Sequence, residues 1–105
     1  MYEERRSQTF QRKVQTASSD RRDDIERKIL LIRTAPTAAC KSERLKWDFS
    51  GKRSARLDRR HRIIYTVCEE CYQQGDQGRN LMDCPGCEDV SAQTVNLLDI
   101  TDYHL

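Results

Sequence analysis

Apolar positions along this chain change period near its middle. Phe10, Val14 and Ala17 recur at helical spacing between Thr9 and Ala17. Ser18-Ser19-Asp20 then offers N-cap oxygens for a second helix. That helix carries Ile25, Ile29 and Ile32 on one face, with Leu30 and Leu31 expected to widen the stripe. Asp20, Asp23 and Asp24 suit the positive end of its dipole, and Pro36 stops it. Tyr2 to Arg6 has the weaker signature of a short edge strand. Further on, Leu45, Trp47 and Phe49 alternate with Lys46, Asp48 and Ser50, the period of a half-buried strand whose apolar side chains enter the core. Ser50-Gly51-Lys52 reads as a turn. Ser54 to Leu57, Arg62 to Val67 and Thr94 to Ile100 read as further strands, the first two joined by the charged turn Asp58-Arg59-Arg60. The order β-α-α-β-β-β predicts an α+β fold, a mostly antiparallel twisted sheet packed against a helical hairpin.

The last two strands are separated by a polar stretch, roughly 68–91, far longer than the usual turn of about 2–5 residues. It is poor in core-forming residues, so something other than apolar burial must hold it. Cys68-Glu69-Glu70-Cys71 and Cys84-Pro85-Gly86-Cys87 are two C-x2-C pairs 12 residues apart. Each pair can aim two thiolates at one point, and two pairs complete a tetrahedral sulfur site suited to a structural Zn2+. Such a site has no open coordination position, so the expected metal staples the hairpin rather than performing chemistry; contact of the acidic tip with a partner is the alternative. Disulfides, free thiols and an iron–sulfur centre are the competing readings. Cys40 has no ligand spacing to the others and reads as a small buried residue or an inert thiol.

With 105 residues the chain suits one domain, 1–105, with the cysteine insert inside it. That length and only four glycines exclude a dinucleotide-binding fold. No apolar run is long enough to span a membrane, and the first residues lack the apolar core of a signal peptide, so a cytoplasmic location is expected. A reducing compartment favours metal over disulfide for the cysteines. The net charge of +2 conceals a division. Residues 1–67 hold 18 Lys and Arg against 9 Asp and Glu, whereas residues 68–105 hold one Arg against 8 acids. A basic front suggests a polyanionic ligand, although a solvated surface would carry the same charges.

The run Ser42-Glu43-Arg44-Leu45-Lys46-Trp47-Asp48-Phe49-Ser50-Gly51, followed by Ser54-Ala55-Arg56-Leu57 and by His61-Arg62-Ile63-Ile64-Tyr65, resembles the RelE/ParE superfamily of toxins, and in particular its YoeB/Txe branch. The ending Tyr103-His104-Leu105 is similar to the branch's terminal Tyr-His pair plus one residue, with a leucine where the branch has an aromatic. The cysteine insert is a departure from the branch. The resemblance implies a ribosome-dependent endoribonuclease that cuts mRNA in the A site, and an antitoxin protein that silences it. By position, Glu43 would match the general base, Arg56 and Arg62 the phosphate-contacting arginines, and His104 the general acid. Lys46 matches a basic residue of the same motif.

The chemistry of RNA cleavage without a catalytic metal makes the same demands. It needs a base near the 2′-OH, cations for the phosphorane charge and an acid for the 5′-oxygen. Glu43, Arg56, Arg62 and His104 are residue types that meet them. Lys46, Lys52 and Arg53 are candidates for positioning RNA phosphates. His61 reads as a residue that bonds the turn before its strand, with a catalytic role as the alternative. Trp47, Phe49 and Tyr65 are expected in the interior, the Tyr65 hydroxyl at an edge. The competing readings are a gyrase-inhibiting ParE-like toxin and a zinc-stabilised binding module, neither of which needs an acid–base pair.

Overall fold

The computed structural model describes residues 1–46, 51–73 and 90–102. Its elements are β1 (Glu3–Arg6), α1 (Gln8–Gln15), α2 (Ser19–Thr34), a 3-10 turn (Ala39–Lys41), β2 (Glu43–Arg44), β3 (Arg53–Arg56), β4 (His61–Val67), α3 (Cys68–Gln73) and β5 (Thr94–Asp102). The strands form one sheet in the order β1-β5-β4-β3-β2. Only β1 and β5 run parallel; every other pairing is antiparallel. The α+β architecture expected from the pattern is present, with the last strand inside the sheet beside the first.

Local chemistry starts each helix. Ser7 caps α1, its Oγ accepting from the Phe10 N–H at 3.0 Å while donating to the Leu98 carbonyl at 2.6 Å. One hydroxyl thus begins the helix and fastens it to β5. Ser18 caps α2 by accepting from the Arg21 N–H. Phe10, Val14, Ile25, Ile29 and Ile32 then pack on Ala55, Leu57, Ile63, Tyr65, Val67, Val95, Leu97 and Ile100. Both helices therefore cover one sheet face, and burial of each large side chain contributes roughly 1.5–3 kcal/mol.

The stripe of α2 is narrower than its composition suggests. Leu30 and Leu31 are 49% and 46% exposed, so they do not widen it. Ile25, Ile29 and Ile32 follow the i, i+4, i+7 line, and at 3.6 residues per turn the intervening leucines fall off that line. Of the strand expected from Leu45 to Phe49, only Leu45 and Lys46 are described, and they are not strand; β2 is the preceding pair Glu43 and Arg44, and Trp47 and Phe49 lie outside the described residues. Residues 68–73, expected to be loop, are helical. Among the described residues no helix is long and apolar enough to cross a membrane.

Ile32→Ala is expected to lower unfolding stability by about 2–5 kcal/mol, since a fully buried branched side chain leaves a cavity. Leu30→Ala and Leu31→Ala should each stay within about 0.5 kcal/mol. Urea denaturation of the three variants checks the asymmetry.

Candidate active site

Strand register decides which charged side chains meet. Glu43 pairs with Ser54, and Ser54 with Ile64. Arg56 pairs with Arg62, and Arg62 with Thr101. Direct partners in a sheet share a face, and residues two apart on a strand share it too. Glu43, Ser54, Arg56, Arg62 and Ile64 consequently lie on the face opposite the helices, because Ala55, Ile63 and Tyr65 point into the core.

Arg62 is the centre of this group. Its side chain is only 7% exposed, whereas that of Glu43 is 59% exposed. Nη2 lies 3.6 Å from Glu43 Oε1, and Nη1 donates to Ser54 Oγ at 3.0 Å. Ser54 is fully buried and holds the guanidinium from below. With Ile64 as an apolar floor, water is thinned around this cation, which strengthens its field toward an anion. The arrangement joins a solvent-accessible carboxylate to a fixed cation, with Arg56 on the adjoining rung.

Glu43 owes its position to a buried network. Tyr65 is fully buried; its hydroxyl donates to the Pro36 carbonyl at 2.6 Å and lies 2.5 Å from Ser42 Oγ. Burial pushes the Tyr65 phenol above its ordinary pKa, keeping it a hydrogen-bond donor. Arg53 Nη1 reaches the same Ser42 Oγ at 3.3 Å, and its other nitrogens grip Glu70 of α3 at 2.7–3.0 Å. The residue before Glu43 is thereby tied to α2's end, to β4 and to α3.

Two of the cations expected to position RNA phosphates are engaged within the chain itself. Arg53 is buried and committed to Glu70, and Lys52 is buried and engaged within the chain. The register explains Arg53: it pairs with Tyr65 on the helix side, the opposite face from Arg56. Lys46 is exposed at the start of the β2–β3 connection. The sequence pattern does not single out Ser42, Ser54 and Tyr65 as site residues; Tyr65 alone carries a signal, a hydroxyl at a position whose alternation demands burial.

His61 contacts the turn, as expected, and more. Its Nδ1 lies 3.1 Å from Asp58, and its Nε2 lies 3.3 Å from Asp102, its register partner at the end of β5. Burial alone would raise the Asp58 pKa. Hydrogen bonds from Arg21, from the Arg60 and His61 amides and from the His61 ring outweigh it and hold this carboxyl well below the usual range. His104, Tyr103 and Leu105 lie outside the described residues. β5 is described as far as Asp102, one residue beyond Thr101, the partner of Arg62.

The cysteines divide likewise. Cys68 and Cys71 are both buried, at i and i+3 of α3, where side chains are neighbours. Asn96 Nδ2 donates to Cys68 Sγ at 3.3 Å, the kind of outer contact that suits a ligating thiolate. Cys84 and Cys87 lie outside the described residues, and among those described no three potential metal ligands gather. Cys40 is half-buried against the core.

No protein-family model matches the chain, and no curated protein does. Solved structures do. A YoeB/ParE toxin from Agrobacterium tumefaciens is 18% identical, with a TM-score of 0.67 over 97% of this chain and 99% of that one. The YoeB-YefM complex from Staphylococcus aureus is 19% identical, with a TM-score of 0.60 over 100% of this chain and 99% of that one. A heterotetrameric YoeB-YefM toxin-antitoxin complex from the same organism matches equally. At this identity the likeness establishes a shared fold along the whole length.

The Arg53–Glu70 pair gives a direct test of how much this network stabilises the fold. Arg53→Met alone strands a carboxylate that is 16% exposed and should cost about 3 kcal/mol, less whatever solvent screening spares. Arg53→Met with Glu70→Met should recover most of that loss. A double-mutant cycle by chemical denaturation measures it.

Proposed function

We propose that this chain is the toxin of a type II toxin–antitoxin pair, an endoribonuclease that cuts mRNA in the ribosomal A site by attack of the 2′-OH. The observation that carries the reading is the meeting of Glu43, Arg62 and Arg56 on one sheet face, with the Glu43 carboxylate exposed. The fold shared with YoeB toxins along the full chain supports it, as does the Glu-x-Leu-Lys and His-Arg patterning of the sequence.

In this mechanism Glu43 takes the proton of the 2′-OH, and the freed oxygen attacks the adjacent phosphorus. Arg56 and Arg62 offset the charge that accumulates on the phosphoryl oxygens. His104 delivers a proton to the 5′-oxygen as its bond to phosphorus breaks. The products are a 2′,3′-cyclic phosphate and a 5′-hydroxyl. The Arg62 guanidinium that lies near Glu43 is the group an incoming phosphate would engage, which frees the carboxylate to act as base. Lys46 contacts the RNA backbone beside this site. The protein partner is an antitoxin, in line with the YoeB-YefM complexes whose toxin has this fold.

Cleavage of mRNA on purified ribosomes tests the reading. Glu43→Ala, Arg62→Ala and His104→Ala should each slow it by about 10²–10⁴-fold with the fold retained. Fragments should end in a cyclic or 3′-phosphate. A 3′-hydroxyl end would mean that water is the nucleophile and would remove the role given to Glu43. Full toxicity of a Glu43→Ala, His104→Ala double variant would move the protein to the gyrase-directed or binding-module readings.

Cys68, Cys71, Cys84 and Cys87 are proposed to bind one structural Zn2+ within the 68–91 insert, stapling it to the single domain formed by 1–105. The buried Cys68–Cys71 pair and the amide donor on Cys68 support this reading. Elemental analysis of protein purified without chelator should find about one zinc per chain. Cys84→Ser with Cys87→Ser should abolish binding. A metal-free wild type with full stability would overturn the site.

A further inference from the structure

Several cations of the described chain are neutralised where they stand. Arg6 pairs with Glu4 and Glu26, Lys13 with Asp99, Arg21 with Asp58, Arg27 with Asp24, and Arg53 with Glu70. Four of the cations with no ion pair gather in one place. Lys28 of α2, Lys41 of the 3-10 turn, Arg56 of β3 and Arg59 of the β3–β4 turn line one open cavity of about 540 Å³. Among the described residues, no carboxylate lies within ion-pair distance of any of them. The one acid in the lining, Asp58, is already engaged by Arg21 and His61. Four uncompensated cations around one concavity create a field that concentrates anions.

The backbone adds an independent observation. Cys40 and Lys41 are consecutive residues with positive φ, 56° and 54°. Neither is a glycine, and the left-handed conformation crowds a Cβ against the following carbonyl oxygen. Packing of Cys40 on the core holds the turn, and the strained turn sets Lys41 in the wall of the cavity that Lys28 and Arg59 also line. Strain of this kind gathers where a side chain must be presented.

We propose that this cavity is a second phosphate-binding site, which seats a backbone phosphate of RNA next to the one being cleaved. Arg56 lines it and is also the register partner of Arg62, so the cavity adjoins the reacting face. A nucleic acid strand carries phosphates in series, and one strand can therefore occupy both places. The volume falls within the roughly 300–1,000 Å³ of clefts that hold small ligands, enough for a nucleotide unit. The choice of RNA over another polyanion rests on the ribonuclease reading; the presence of a phosphate site does not.

The test compares the wild type with a Lys28→Gln, Lys41→Asn, Arg59→Gln triple variant; asparagine is chosen because it tolerates positive φ. Binding of a short single-stranded oligoribonucleotide carrying 2′-O-methyl groups is followed by fluorescence anisotropy across a salt series. The variant should bind about tenfold or more weakly at low salt. The slope of log K against log salt should become shallower by roughly 0.7 for each phosphate that the variant no longer neutralises. In the wild type, inorganic pyrophosphate should shift the amide resonances of residues 28, 41 and 59, and in the variant it should not. Equal affinity and slope in the two proteins would overturn the site. Preferential binding of a polyglutamate peptide, with RNA unable to displace it, would overturn the assignment to RNA in favour of an acidic protein segment. A wild type that binds RNA through these three cations but cuts no message would sink the ribonuclease reading and uphold the phosphate site.

Discussion

A buried phenol must find partners for its hydroxyl, and Tyr65 finds them in the two segments that flank the candidate site. Its ring is part of the core between sheet and helices, so it cannot turn outward without opening a large cavity. Its hydroxyl therefore ends at a fixed point, where the Pro36 carbonyl and Ser42 Oγ converge on it. An unsatisfied hydroxyl at such a depth would cost about 1–3 kcal/mol. The chain after α2 is folded back to meet this demand, and Glu43 follows Ser42 directly. Core packing on one sheet face thus sets the carboxylate on the other.

Charge is distributed by the same logic of faces. Alternation along β3 sends Arg53 toward the helix side and Arg56 away from it. Arg53 becomes a structural cation, desolvated and paired with Glu70. Arg56 and Arg62 lie on the other face, adjacent in register, with the buried Arg62 beside the exposed Glu43. Like charges held this close repel, and the fold tolerates the pair because Glu43 and Ser54 stand beside Arg62.

Glu70 links this arrangement to the cysteine helix. It lies between Cys68 and Cys71 in sequence and grips Arg53, which in turn bonds Ser42. Glu69 receives the Tyr2 hydroxyl, joining α3 to the start of the chain. The first part of the insert is thus anchored by polar contacts to the elements that carry the site, and α3's orientation bears on where Glu43 stands.

The hydrophobic period by itself determined the helix pair, the strands around Arg56 and Arg62, and the isoleucine line of α2, because burial selects one face of each element and the spacing writes it out. The Ser18 cap and the Asp58 turn were legible for a similar reason: their hydrogen bonds span three residues or fewer. Motif resemblance named Glu43, Arg56 and Arg62, but not what surrounds them. What only the tertiary structure decided was long-range and polar. The parallel docking of β1 on β5, the Tyr65–Ser42–Arg53–Glu70 network and the approach of His61 to Asp102 join residues far apart in sequence. Arg53 and Arg56 are three apart on one short strand, so alternation alone sends them to opposite faces. What meets each of them there, Glu70 of α3 for the one and Arg62 with Glu43 for the other, comes from distant segments, and no local pattern of charges contains that information.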